Sequence, residues 1–490
     1  SAGGGVAERP DSPLGSTFPA VKSTARKGLP LALLVMIRTR VHTPPRVPVR
    51  ASFARRVPVA PVALLLSLAA VLLPTSLAAQ DTDPAYDSEI ERLQADPRVR
   101  EALALLESSD ERTIAEQIEL TQIPAPPFME DARAARFLEM MRDLGVDSAW
   151  IDAEGNAIAL RRGTGDGPVV ALTGHLDTVF PEGTDVTVRM VGDTLYAPGV
   201  SDDVRGLAAV LAVLRAMNEA GLRTGGDILF VGTVGEEGLG DLRGVKHLFR
   251  DGGPRIDAFL SVDGTSESRV THQALGSYRY RITFQGPGGH SWGAFGLANP
   301  AHALGRAVRL FDDEAADFTA AEGPRTSYNV GVLGGGTSVN SVPFEAWMEI
   351  DMRSESPASL DRIDAILLAA VEEGLEQENA ARTRGEPLTV DVERIGTRPS
   401  GEIPVDSPLV QRSIAATRAL DLEPGLGRSS TDSNIPISLG IPAVTLGGGG
   451  TGGNSHSLDE WFLNTNGPRG IQRVLLITLA QAGLAPVGEP

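Results

Sequence analysis

The chain has 490 residues, 42% hydrophobic and 22% charged, which is enough for two or three domains with large cores and excludes general disorder. It contains no cysteine, so disulfides, thiol nucleophiles and thiolate metal sites are excluded together. Residues 1–79 hold 10 Lys and Arg against 2 Asp and Glu, so the formal charge of −19 hides a remainder with 34 basic and 61 acidic residues, about −27. Such a polyanion repels phosphate, which argues against nucleic acid or anionic membrane as a partner.

In chain order, the first feature reads as an address. Arg55 and Arg56 precede the apolar run "VALLLSLAAVLL" (Val62 to Leu73), then Pro74 and small residues up to Gln80. A basic region, a short apolar core and a small-residue exit predict a secretory signal cleaved near Ala79, with Met36 a candidate start. The run is short for a bilayer span, and no cysteine follows it for lipid attachment. Residues 1–79 are set apart as an N-terminal extension and signal. The mature chain is expected to be periplasmic or extracellular, without a stable membrane anchor.

From about Asp81 to Gly145 the pattern is helical. Strands and helices then alternate: "GPVVALTGH", "GDILFVGTVGEE" and "IDAFLSVDG" are short apolar runs ending in small or acidic residues, with helical segments between them. This predicts an α/β domain with a mainly parallel sheet flanked by helices, whose functional groups sit at the carboxyl ends of the strands. Near Gly276 the pattern changes. "SYRYRITF", a helix from Pro300, "TSYNVGVLGG", "FEAWMEIDMR", a helix from Leu360 and "LTVDVERIG" give the order βαββαβ of a ferredoxin-like unit. The expected organisation is a large domain in two parts, 80–275 and 396–490, with an α+β lid at 276–395.

Polar residues collect at the strand exits of the large domain: His175 with Asp177, Asp202-Asp203, Glu236-Glu237, Asp263 and His456. Each has an ordinary explanation alone; Asp202-Asp203, for instance, precedes an apolar helix and could cap it. Together, two imidazoles and several carboxylates facing one crevice suit a pair of zinc, cobalt or manganese ions. Asp177, two residues beyond His175 on an extended exit, lies alongside it and orients the imidazole or its neighbours.

"GHLDTV", "SDDVRG", "GEEG", "VDG" and "GGNSHSLDE" resemble, in order, the motifs of the di-zinc metallopeptidases that include peptidase T, carnosinase-type dipeptidases, glutamate carboxypeptidase, the aminoacylases and succinyl-diaminopimelate desuccinylase. The resemblance implies that His175 and Asp263 hold one ion, Glu237 and His456 the other, and that Asp202 bridges them. Two divalent ions, zinc first, against three ligand carboxylates leave a positive centre that lowers the pKa of a shared water to around 7. Glu236 matches the general base. "GPGGHSWGAFGLANP" resembles the lid motif, which implies that His290 stabilises the tetrahedral oxyanion, in many relatives across a lid-paired homodimer. Asn340 and Arg353 match substrate-anchoring positions. The glycine run Gly447 to Gly450 is expected to let substrate approach the backbone.

Two departures stand out. Val204-Arg205 replaces a lysine often found after the bridging aspartate, and "SSTDSN" leaves the role of Asp432 open. Asp263, where some relatives carry Glu, favours short peptides with a free amino terminus, so the expected activity resembles that of an aminopeptidase, dipeptidase or tripeptidase. Deacylation of N-acyl amino acids and carboxypeptidase action are the alternatives within the family. A non-catalytic secreted binding protein would have lost Glu236 or a ligand, and neither is lost.

Overall fold

The computed structural model describes residues 83–486; the predicted signal and the cleavage point near Ala79 lie outside them. No helix among the described residues is long and apolar enough to cross a membrane.

Four helices open the fold: Pro84–Ala95, Pro97–Ser108, Asp110–Thr121 and Asp131–Asp143. The first two start alike. An aspartate, Asp83 or Asp96, caps the helix by accepting a backbone N–H of its first turn, and proline occupies the first helical position, where no N–H is needed. A large sheet follows. Its order is Ser148–Ile151, Ala157–Arg161, Ile228–Thr233, Val170–His175, Ala258–Val262, Ala443–Leu446, Arg269–Ala274 and Gly401–Glu402, with Gly425–Ser429 pairing beside Arg269–Ala274.

The four central strands run parallel, from Ile228–Thr233 to Ala443–Leu446. Every residue in them is buried, which is why they read as continuous apolar runs rather than alternating ones. Both margins turn antiparallel. Helix Val204–Glu219 crosses behind the sheet and is buried throughout from Val204 to Met217. The expected mainly parallel sheet flanked by helices is therefore present, with mixed edges.

The lid is the expected βαββαβ unit. Its four antiparallel strands lie in the order Thr326–Gly335, Glu345–Ser354, Gly276–Gln285 and Thr389–Arg398, which are the second, third, first and fourth in sequence. Helices Pro300–Ala320 and Pro357–Ala381, the second starting ahead of the expected Leu360, cover one sheet face. Tyr280, Ile282, Phe284, Met348, Ile350 and Met352 fill that face as a core separate from that of the large domain. Strand period two sends the alternate residues the other way, among them the register pairs Arg279–Asp351 and Arg281–Glu349.

One element was not anticipated. Thr451–Gly453, Trp461–Leu463, Thr194–Tyr196 and Arg189–Val191 form a small antiparallel sheet. Trp461 pairs with Tyr196 and Phe462 with Leu195, so the loop carrying His456 is tied to the segment leading into Asp202.

Candidate metal centre and substrate cleft

His175 ends its strand at 2% exposure, its backbone N–H donating to Asp203 Oδ2 at 3.0 Å. Its Nδ1 lies 3.1 Å from the Asp177 carbonyl oxygen. An N–H given to that carbonyl leaves Nε2 with its lone pair, and Nε2 faces Asp202 Oδ1 at 3.1 Å. The other oxygen of Asp202 stands 3.3 Å from His456 Nε2, which also meets Glu237 Oε1 at 2.9 Å. Asp202 thus has an imidazole on each oxygen, the placement of a bridging carboxylate. Ligand atoms of His175, Asp202 and Glu237 all fall within 4.8 Å of one another. Asp263 follows its strand directly and lines the same cavity as Asp202, Glu236, Glu237 and His456.

Buried hydrogen bonds hold these groups in place. The Asp177 carboxylate accepts the backbone N–H of Glu236 at 3.0 Å and of Glu237 at 2.7 Å, while its Oδ1 is 3.7 Å from His175 Nδ1. It therefore positions the glutamate pair more directly than the imidazole. Asp203 accepts from Gly206 and Gly264 as well as from His175, joining a helix start to two strand exits. Glu460 accepts from the N–H of Gly199, Ser201 and Asp202 and from the Ser201 hydroxyl, fixing the loop that presents Asp202. Asp203 caps the helix Val204–Glu219 as the sequence suggested for the pair, and Glu460, which was given no role, closes the quoted segment "GGNSHSLDE".

The electrostatics test whether divalent ions fit here. Burial, and then the charge of Asp202, raise Asp263 to about 6; burial lifts Glu236 and Asp203 well above the carboxylate range. His456 is raised to about 10 by Asp202 and Glu237. Burial pushes His175 down, but hydrogen bonds with Asp177 and Asp202 more than reverse it. The imidazoles are thus drawn into serving as cations for crowded carboxylates, a task that divalent ions perform without protons. Nitrogen and oxygen donors of this kind fit zinc, cobalt or manganese.

The cavity, about 390 Å³, also receives Arg269, Arg279, Arg353 and Arg398. Arg398 is the last residue of the last lid strand. Its Nη1 donates to Glu236 Oε1 at 3.0 Å and to Ser430 Oγ at 3.1 Å, and its Nη2 donates to the Glu236 carbonyl. Arg353 stands where a substrate anchor was expected. His290 and Asn340 do not line this cavity. Strands Gly289–His290 and Ser341–Val342 pair, Ser291 N–H donates to the Asn340 carbonyl at 2.8 Å, and both side chains are exposed on the lid rim.

Two details differ from, or add to, the sequence reading. Gly447 to Gly450 are buried against protein and not open to substrate: a Cβ on Gly447 would lie 2.2 Å from the Ser266 carbonyl oxygen. Arg205, in place of the usual lysine, is wholly buried and donates to the Gly448 carbonyl at 2.8 Å. Asp432 lies beneath the site, its Oδ2 accepting from Thr233 Oγ1 at 2.5 Å and its Oδ1 without a partner among the described residues. Thr233 is in register with His175.

Residues 171–479 match peptidase family M20/M25/M40. The chain belongs to this family. Carboxypeptidase G2 of Pseudomonas sp. is 26% identical over 237 residues, 45% of this chain and 54% of that protein. Succinyl-diaminopimelate desuccinylase of Leptothrix cholodnii is 28% identical over 262 residues, 50% of this chain and 66% of that protein. The aligned stretches thus span between half and two thirds of these relatives. Aminopeptidase PepT of Bacillus cereus superposes with a TM-score of 0.60 at 22% identity, covering 76% of this chain and 98% of that one, a likeness of fold. The M20 match runs from the Val170–His175 strand into the last helix, across the lid.

Proposed function

We propose that the protein is a metal-dependent hydrolase of amide bonds in short peptides. The observation that carries this reading is the position of Glu236. Asp177 fixes its backbone, Arg398 holds its carboxylate at the cavity wall, and the ligand Glu237 is its neighbour. His175, Asp202, Glu237, Asp263 and His456 would hold two divalent ions, zinc first, with cobalt or manganese as alternatives. Such ions would supply a water of strongly lowered pKa at neutral pH. Glu236 is placed to take a proton from the attacking water and give it to the departing amine, as a general base and then a general acid. Arg353, whose terminal nitrogens have no hydrogen-bond partner among the described residues, receives a substrate carboxylate; its Nε is spent on Asp351 at 2.7 Å.

His290 and Asn340, placed outside their own cavity, would serve the cleft of a second copy in a lid-paired homodimer. Export after cleavage near Ala79 belongs to the same reading.

Asp263 favours substrates with a free amino terminus by family resemblance. The arginine-lined cavity favours recognition of the carboxylate end, as in a carboxypeptidase or a deacylase of N-acyl amino acids. Turnover of free dipeptides compared with N-acetyl amino acids separates these. Chelation should abolish turnover, and zinc, cobalt or manganese should restore it, with about two ions bound per chain. A fully active metal-free preparation would overturn the proposal.

A further inference from the structure

The four arginines of the cleft are not equally occupied. Arg398 is matched by Glu236. Arg279 and Arg353 share one carboxylate, Asp351, through Oδ1 at 2.9 Å and Oδ2 at 2.7 Å, so the lid face carries one surplus positive charge. Arg269 comes from the opposite wall, on the strand that follows Asp263. No carboxylate among the described residues lies within 4.0 Å of it. Its Nη2 donates to the Asp263 carbonyl at 3.1 Å, and its Nε is buried with no partner among the described residues. Behind it Arg473 is wholly buried, lowered to about 9 by burial and then by Arg269, with Nε and Nη1 also unpartnered among the described residues. These buried donors do not reach the cavity, but Arg269 lines it, and its Nη1 makes no hydrogen bond among the described residues; a guanidinium so placed, backed by a second cation, is built to receive an anion.

We propose that the cleft selects amide substrates bearing two carboxylates, one received by the Asp351-linked Arg353 and the second by Arg269. This rests on the amide-hydrolase reading above and narrows it to acidic peptides or acidic N-acyl amino acids. Arg269 also braces the loop of a proposed metal ligand, and a purely structural role would change all substrates by a common factor. A specificity role changes their ratio.

The experiment compares isosteric pairs on the metal-loaded protein: alanyl-glutamate with alanyl-glutamine, and glutamyl-alanine with glutaminyl-alanine. In at least one pair the acid should be favoured in kcat/KM by ~10- to ~100-fold, the range of a hydrogen-bonded charge pair. In Arg269→Gln that ratio should fall to within about threefold of one, and in Arg269→Lys it should lie between. Calorimetric binding of succinate, glutarate and adipate, each against butyrate, reads the same preference without turnover. The best diacid should bind ~10-fold or more tightly than butyrate to the wild type only. Peptide turnover with no acid preference in either pair and no diacid preference overturns the two-carboxylate proposal and leaves the hydrolase reading standing. A diacid preference lost in Arg269→Gln, with no amide cleaved, does the reverse. A preference kept in Arg269→Gln removes Arg269 from the proposal. The wild-type comparisons need no variant, so a poorly folded substitution does not rescue the idea.

Discussion

The large domain and the lid rim both carry family motifs, but they hold them in opposite environments. His175, Asp177, Glu236 and Glu237 are at most 6% exposed, each fixed by bonds to its own chain, while Asp202 and Asp263 are half-buried and His456, on its loop, is exposed. His290 and Asn340 sit beside Trp292 and Val339, which are 88% and 104% exposed. Groups that must hold ions against mutual repulsion need a rigid, dry frame, because a small displacement of a ligand loosens the whole set. Groups proposed to act on the cleft of a second copy would need an open surface instead. The contrast separates residues that line the cavity from residues that stand on the open rim.

The strongest way to break this comparison is to remove a group from the buried wall. Glu236→Ala should lower kcat by about 10²–10⁴-fold while metal content stays near wild type, and Glu236→Gln, which keeps an acceptor for Arg398, should lose activity likewise. Turnover at the normal rate would remove Glu236 as the base. On the rim, His290→Ala should cost about 10²–10³ in kcat, with metal binding intact. Mixing inactive His290→Ala with inactive Glu236→Ala should regenerate activity in hybrid dimers. No recovery after demonstrated subunit exchange would return the histidine to its own chain.

Smaller effects sharpen the picture of the frame. Glu460→Ala strands four buried donors at the Asp202 loop, and should lower stability by about 1–3 kcal/mol together with metal occupancy. An unchanged unfolding midpoint would show that the loop holds itself. The mildest change is Asp432→Asn. Burial raises the Asp432 carboxyl to about 7, against about 3.9 in an unfolded chain. The folded chain therefore keeps a proton that the unfolded chain releases. The stability tied to this proton is complete below about pH 3.9 and is lost as pH rises through about 7. Asp432→Asn should reduce the fall in stability of metal-depleted protein between pH 5 and pH 8, measured by urea unfolding.

His175, Glu236, Glu237 and Asp263 were legible because each ends or follows a short apolar run, so local pattern places it at a strand exit. Asp202, in the turn before a helix, and His456, in a glycine-rich loop, were legible only through the resemblance of "SDDVRG" and "GGNSHSLDE". The lid's βαββαβ order was legible for the same reason: period two and helical spacing are local signals. What local pattern could not place is what depends on distant pairing. Arg398 meets Glu236 across 162 positions, and Glu460 meets Ser201 across 259. The small sheet around Tyr196 and Trp461 has strands of three residues, too short for periodicity to register. Arg279 and Arg353 alternate visibly with apolar neighbours, but only the antiparallel register puts both on Asp351. The glycine run misled because small residues beside a site read equally as room for substrate or as room for backbone.

That run has a consequence for how this sequence can vary. A Cβ on Gly447 would lie 2.2 Å from the Ser266 carbonyl oxygen, and one on Gly449, at φ +80°, 2.2 Å from the Gly467 carbonyl oxygen. Neither obstacle is a side chain that can swing aside; both are backbone of neighbouring segments. In a library of single substitutions selected only for folded protein, these two positions should be emptied of every residue but glycine, while exposed Thr451 beside them accepts many. The tolerance of the chain to drift therefore drops sharply next to the cleft at residues that touch no substrate, and a map of permitted substitutions would mark this loop as strongly as the ligands themselves.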